Sequence, residues 1–134
     1  MNNKKNVGFI GAGYMGYGMA KNLLNDYEVY IIAHKNRKPI DQLKQIGAIE
    51  VDTYTDLCAL NLDCLFLCVT NTPIALSIAN ELTDKLHSSV LVIDITTHHQ
   101  TGSIEMLNIF KKNNINYCEC PVMGGPVQSK EGIL

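Results

Sequence analysis

Three glycines in the stretch VGFIGAGYMG, Gly11, Gly13 and Gly16, stand at the G-x-G-x-x-G spacing, directly after a short apolar run and at the mouth of a helical one. Glycine at the first position suits a tight turn, at the second it lets a ligand approach the backbone, and at the third it lets helix and strand pack closely. The start of the helix adds free amides and the positive end of a dipole. Gly11, Ala12, Gly13, Tyr14, Met15 and Gly16 are therefore the candidate cradle for a dinucleotide pyrophosphate. About 20 residues further on, where a ribose-binding Asp or Glu commonly ends the second strand, the chain reads AHKNRKP. It holds no acid there. His34, Lys35, Asn36, Arg37 and Lys38 instead offer donors and positive charge. A charge-assisted hydrogen bond to a 2'-phosphate is worth roughly 1.5 to 3 kcal/mol, whereas a carboxylate would repel it. The expected cofactor is NADP, with NAD second. The competing reading of Lys35, Arg37 and Lys38 is an ordinary solvated turn between strand and helix.

Such a cradle works only if strands and helices hold it. Four continuously apolar runs rich in β-branched residues, Val7 to Ile10, Glu28 to Ala33, Cys64 to Val69 and Val90 to Ile95, have the pattern of strands buried on both faces. Two weaker ones, Ala48 to Val51 and Ile115 to Cys120, complete six. Helical periodicity fills the gaps. Met15, Met19, Ala20, Leu23 and Leu24 follow the glycines, and Ile104, Leu107 and Phe110 recur at three-residue steps. Alternating strands and helices with crossovers of this length predict an α/β fold, a Rossmann-type doubly wound sheet, mainly parallel and six-stranded, with helices on both faces. No repeat or linker divides residues 1–134, which read as a single NAD(P)-binding domain.

The bulk properties agree. With 134 residues, 46% apolar content and a formal charge of -2, the chain can bury a core and carries no basic excess that would suggest nucleic acid. No apolar run reaches the roughly 18 residues of a membrane span, so neither a nucleic-acid nor a membrane partner is expected, and the expected location is cytoplasmic. Five cysteines, Cys58, Cys64, Cys68, Cys118 and Cys120, are odd in number and lie mostly in apolar segments, which suits reduced core or near-core thiols better than a metal site. His98 and His99 lack Asp, Glu or Cys neighbours and read as a solvated pair. Asp94, at the end of a buried strand, reads as a residue that positions the loop after it.

Four stretches together resemble the β-hydroxyacid dehydrogenases, which include 3-hydroxyisobutyrate dehydrogenase and 6-phosphogluconate dehydrogenase. GFIGAGYMGYGMAKNLL is similar to that family's cofactor motif, FLCVTNTP to the loop after its fourth strand, VIDITT to the segment after its fifth, and CPVMGGPVQSKEGIL to its substrate loop. The resemblance covers essentially the whole chain. It implies that Val69 and Thr70 pass beside the cofactor ribose and that Thr97 faces nicotinamide and substrate. It also implies that Gly124 and Gly125 present amides to the acid group of a small-molecule substrate. Met123 stands where the family usually has Ser, and Cys120 where it usually has Ala. Met123 would bring an apolar side chain to the substrate.

The same resemblance implies a catalytic Lys on a helix beyond the substrate loop and an all-helical domain that completes site and dimer, neither of which this chain contains. Lys130 does not match that Lys, so no residue here is expected to be catalytic. The expectation is the NADP-binding domain of an oxidoreductase moving a hydride between NADP(H) and a small β-hydroxyacid or semialdehyde, inactive alone. The alternatives are a non-catalytic NADP-binding module and a structural protein with a vestigial site.

Overall fold

The fold is seen in a computed structural model, which describes residues 3–32 and 35–134. Six strands form one sheet: β1 (Asn6–Ile10), β2 (Glu28–Ile32), β3 (Ile49–Val51), β4 (Cys64–Leu67), β5 (Leu91–Asp94) and β6 (Asn116–Glu119). Their order is β3-β2-β1-β4-β5-β6, and every pairing is parallel. This is the doubly wound Rossmann arrangement, with its change of direction between β1 and β4. All six predicted strands are present. They stop slightly sooner than the apolar runs suggest, so that Val69 and Ile95 lie in the loops that follow β4 and β5.

Side chains alternate across the sheet and supply two cores. Leu65, Leu67 and Val92 point to a cluster with Ala75, Leu82, Met106 and Phe110, while Phe9, Val29 and Ile31 point to one with Ala20, Ile40 and Leu43. The first lies under α3 (Tyr54–Cys58), α4 (Thr72–Leu82) and α5 (Gln100–Lys112), the second under α1 (Gly16–Leu23) and α2 (Arg37–Gln45). Coverage on both faces is the reason the strands read as unbroken apolar runs. Among the described residues, no helix is long and apolar enough to cross a membrane.

Two details differ from expectation. Helix α5 forms, yet its buried residues are Gly102, Met106 and Phe110, at steps of four, and Ile104 and Leu107 are 51% and 47% exposed. Phe110 stacks on Tyr117 of β6 with centroids 5.0 Å apart, and Gly102 lies so close to Thr72 that a Cβ would stand 2.4 Å from its methyl group. Those two contacts set the rotation of the helix. The cysteines are free, but Cys120 is exposed because β6 ends just before it.

A last helix, α6 (Pro126–Glu131), folds back against α1. Gly18 makes this possible, since a Cβ there would lie 2.5 Å from Ser129. Ser129 Oγ donates to Met15 O at 2.7 Å, and Asn22 Nδ2 donates to Ser129 O at 2.9 Å. The C-terminal loop is thereby clamped to the helix that carries the glycine motif.

Candidate functional site

A groove of about 770 Å³ opens over the C-terminal ends of β1 and β4, where the winding of the sheet reverses. Such a crevice is where open parallel sheets bind ligands. Its lining includes the whole stretch Gly11 to Gly16, with Asn36, Val69, Thr70, Thr97 and Gly124. Segments far apart in sequence therefore meet along one surface.

The three glycines are not equivalent. A Cβ on Gly11 would stand 1.9 Å from Cys68 O, and its φ of +95° is one that side chains disfavour. On Gly16 it would stand 2.1 Å from Gly11 O. Packing of the chain on itself therefore demands both. Around Gly13, by contrast, nothing lies within 4 Å. Its missing side chain leaves open space at the start of α1, whose cap, Met15, makes no side-chain hydrogen bond to the first amides. Free N–H groups at a helix start beside an open glycine suit an anionic diphosphate. Glu81 is the single charged side chain among the described lining residues. Backbone dipoles, not a cation, would meet the phosphates there.

The far wall is built by a buried polar network. Asp94, fully buried, accepts from Thr96 N at 2.9 Å, Tyr117 Oη at 2.8 Å and His98 Nε2 at 2.8 Å. With Nε2–H given to Asp94, His98 Nδ1 is left to accept from Thr72 Oγ1 at 2.9 Å. Burial, reinforced by the bond to Asp94, pushes the Tyr117 phenol well above its ordinary pKa, so it stays a donor. Thr96 Oγ1 in turn accepts from Val69 N at 3.0 Å and ties the loop after β4 to the loop after β5. The positioning role read for Asp94 is thus visible. The solvated reading fails for His98, whose side chain is completely buried, and holds for His99, which is exposed and also caps α5 by accepting from Gly102 N at 3.1 Å. Asp94 and Gly102 are near in sequence, while Thr72 of α4 is brought to His98 only by the fold.

The end of the groove beside α2 is arranged differently. His34 lies outside the described residues. Asn36 lines the groove and caps α2, accepting from Lys38 N at 3.2 Å. Lys35 and Arg37 are exposed and are not among the lining residues, and Arg37 is turned to Glu50 of β3 and Asp41. In the loop after β6 Gly124 lines the groove with a φ of +134°, Met123 is 91% exposed, and the Gly125 N–H is donated to Gln128 Oε1 at 2.9 Å.

Sequence reading missed several lining residues. Ile74, Ile78 and Glu81, on successive turns of α4, and Tyr54 of α3 border the groove. No signal in the sequence marked them; in the structure Ile74 is an apolar residue that remains 43% exposed. Cys68 lies on the groove floor, where burial pushes its thiol up to about 11, so that it stays protonated at neutral pH.

Comparison with known proteins agrees with this geometry. The oxidoreductase YkwC of Bacillus subtilis (strain 168), described as uncharacterized, is 27% identical over 134 residues, covering 98% of this chain and 46% of that protein. The "Probable 3-hydroxyisobutyrate dehydrogenase, mitochondrial" of Dictyostelium discoideum is 27% identical over 136 residues, covering 97% of this chain and 41% of that one. In structure, the 3-hydroxyisobutyrate dehydrogenase of Mycobacterium tuberculosis superposes with a TM-score of 0.88 at 17% identity, over 96% of this chain and 44% of its own. The chain thus spans less than half the length of these relatives. The family described as the NAD binding domain of 6-phosphogluconate dehydrogenase matches residues 6–134. With strand order, glycine loop and groove all in accord, the chain belongs to that family of NAD-binding domains.

Proposed function

We propose that this chain is the NADP-binding domain of an oxidoreductase that moves a hydride between NADP(H) and a small β-hydroxyacid or semialdehyde. The observation that carries the reading is Gly13: of the three motif glycines it alone faces open space, at uncapped helix amides in a groove at the sheet's switch point. A bound nicotinamide would supply or take the hydride. The chain's own share would be to hold the pyrophosphate on the amides of residues 11–16, pass the ribose along Val69 and Thr70, and direct the reactive ring toward Thr97. Gly124, which lines the same groove as Thr97, would face the substrate's acid group, and the exposed Met123 would favour an apolar branch. The preference for NADP rests on the absence of an acid from Ala33 to Pro39 and on the cations around Asn36. A general acid, and the closed site that hydride transfer requires, would come from the part of the relatives that this chain does not match.

Titration of the chain with NADPH and NADH tests this. NADPH should bind more tightly, and Gly13→Val should abolish binding of both while leaving the melting temperature unchanged, because the new side chain would fill only the ligand's space. Equal binding by Gly13→Val would refute the site.

A further inference from the structure

Around Arg37 the structure shows a compact ion network. Arg37 sits at the first position of α2, directly after Asn36, and its guanidinium forms a two-pronged pair with Glu50 of β3, Nη1 to Oε1 at 2.5 Å and Nη2 to Oε2 at 3.2 Å. Lys44, two turns along α2, donates to the same Glu50 Oε2 at 2.7 Å, and Asp41 takes Arg37 Nη2 at 2.9 Å. Two cations and two carboxylates thus balance one another on one face of α2. Glu50 is the hub, with a side chain only 15% exposed, while Arg37 and Lys44 are 48% and 46% exposed. The pairs hold its carboxyl down at about 2, so it keeps its charge at neutral pH. Among the described residues Lys35 and Lys38 form no salt bridge. The cation best suited to a planar, two-pronged grip on a phosphate is therefore occupied, by an acid from the neighbouring strand.

We propose that Glu50 sets the cofactor preference of the groove by competing with the NADP 2'-phosphate for Arg37. A phosphomonoester carries a charge of about -1.5 to -2 at neutral pH. To be gripped by Arg37 it must displace a carboxylate that already satisfies the fork, and Glu50, fixed on β3, cannot follow. NADH carries no such group and meets no competition. None of Arg37, Lys44 and Glu50 lines the groove, but Arg37 directly follows Asn36, which does, so Glu50 acts through Arg37 and not on the ribose itself. The inference rests on the proposed NADP reading and names the residue that moderates it.

The test is a cycle of four proteins, wild type, Glu50→Gln, Arg37→Gln and the double variant, each titrated with NADPH and with NADH, with circular dichroism to show that all are folded. Glu50→Gln should tighten NADPH about tenfold, the loss of one competing charge-assisted contact, and leave NADH unchanged. In the Arg37→Gln background that gain should vanish, an outcome that a merely structural effect of Glu50 would not produce. If Glu50→Gln leaves NADPH binding unchanged or weaker while Arg37→Gln alone weakens it, competition is refuted and the NADP reading stands. If Glu50→Gln weakens NADH selectively, Glu50 is a ribose acceptor and the proposal is wrong. If Arg37→Gln alters neither cofactor in either background, the NADP reading falls and takes the proposal with it.

Discussion

Two polar networks flank the groove, and they are built on opposite terms. On the β5 side, Asp94, His98, Thr72 and Tyr117 form a dry network in which the one carboxylate is fully buried and accepts three hydrogen bonds. On the β3 side, Arg37, Asp41, Lys44 and Glu50 form a wet one, whose cations are about half exposed. A buried network cannot trade partners with water, so each lost partner leaves a group unsatisfied. An exposed one can, since solvent and salt stand ready to replace either ion. The dry network suits fixed geometry, here the relation between the loops carrying Val69 and Thr97. The wet network suits exchange, here of a carboxylate for an arriving phosphate.

The sharpest way to break this contrast is Asp94→Ala. It would strand Thr96 N–H, Tyr117 Oη–H and His98 Nε2–H without an acceptor, and an expected loss of about 4 kcal/mol would consume much of the stability of a domain this size. Urea unfolding measures it. A loss below about 1 kcal/mol, the range of surface sites, would mean that the buried network does not hold the wall. His98→Ala comes next, at about 2 to 3 kcal/mol, because Asp94 keeps two donors while Thr72 loses its partner. Cofactor binding should weaken in His98→Ala as well, since the loop after β5 is released from the start of α4. Unchanged affinity in a folded variant would show that the network serves stability only.

On the wet side, Glu50→Gln should shift the thermal midpoint by no more than about 3 °C at low salt, and that shift should shrink as salt is raised. The smallest effect is its pH dependence. The carboxyl of Glu50 is lowered from an ordinary 4.5 to about 2 by Arg37 and then Lys44. A depressed carboxyl stabilises the fold above its unfolded pKa and loses that contribution as pH falls toward its folded one. The difference in thermal midpoint between wild type and Glu50→Gln should therefore be constant above pH 4.5 and close between 4.5 and about 2. A difference that persists at the acid end would assign the effect to packing, not charge.

The legible parts of the molecule were those whose causes are local. Runs such as CLFLCV announce strands buried on both faces because the pattern of apolar residues along a few positions is itself the physical cause of the strand. Gly11 and Gly16 announce a tight loop because no side chain fits there, whatever the ligand. Helix α5 shows where this stops. Its periodicity was plain, but the face read from Ile104, Leu107 and Phe110 is buried only at Phe110, because Tyr117 and Thr72, brought up by β6 and α4, turn the helix toward Gly102 and Met106.

Charge and hydrogen bonding were decided later still. The cation cluster after β2 could be read in the chain, but not the carboxylate that holds it, because Glu50 comes 13 residues after Arg37 and meets it only once β3 pairs with β2. His98 looked solvated although Asp94 stands only four residues before it; its other partner, Thr72, comes from the start of α4 and meets it only in the fold. By itself, the sequence determined the parallel sheet and the glycine cradle, since short-range sterics and burial periodicity suffice for both. The tertiary structure alone decided which polar groups are satisfied and by whom, because a hydrogen bond or an ion pair depends on a few ångströms between residues that the chain does not hold together.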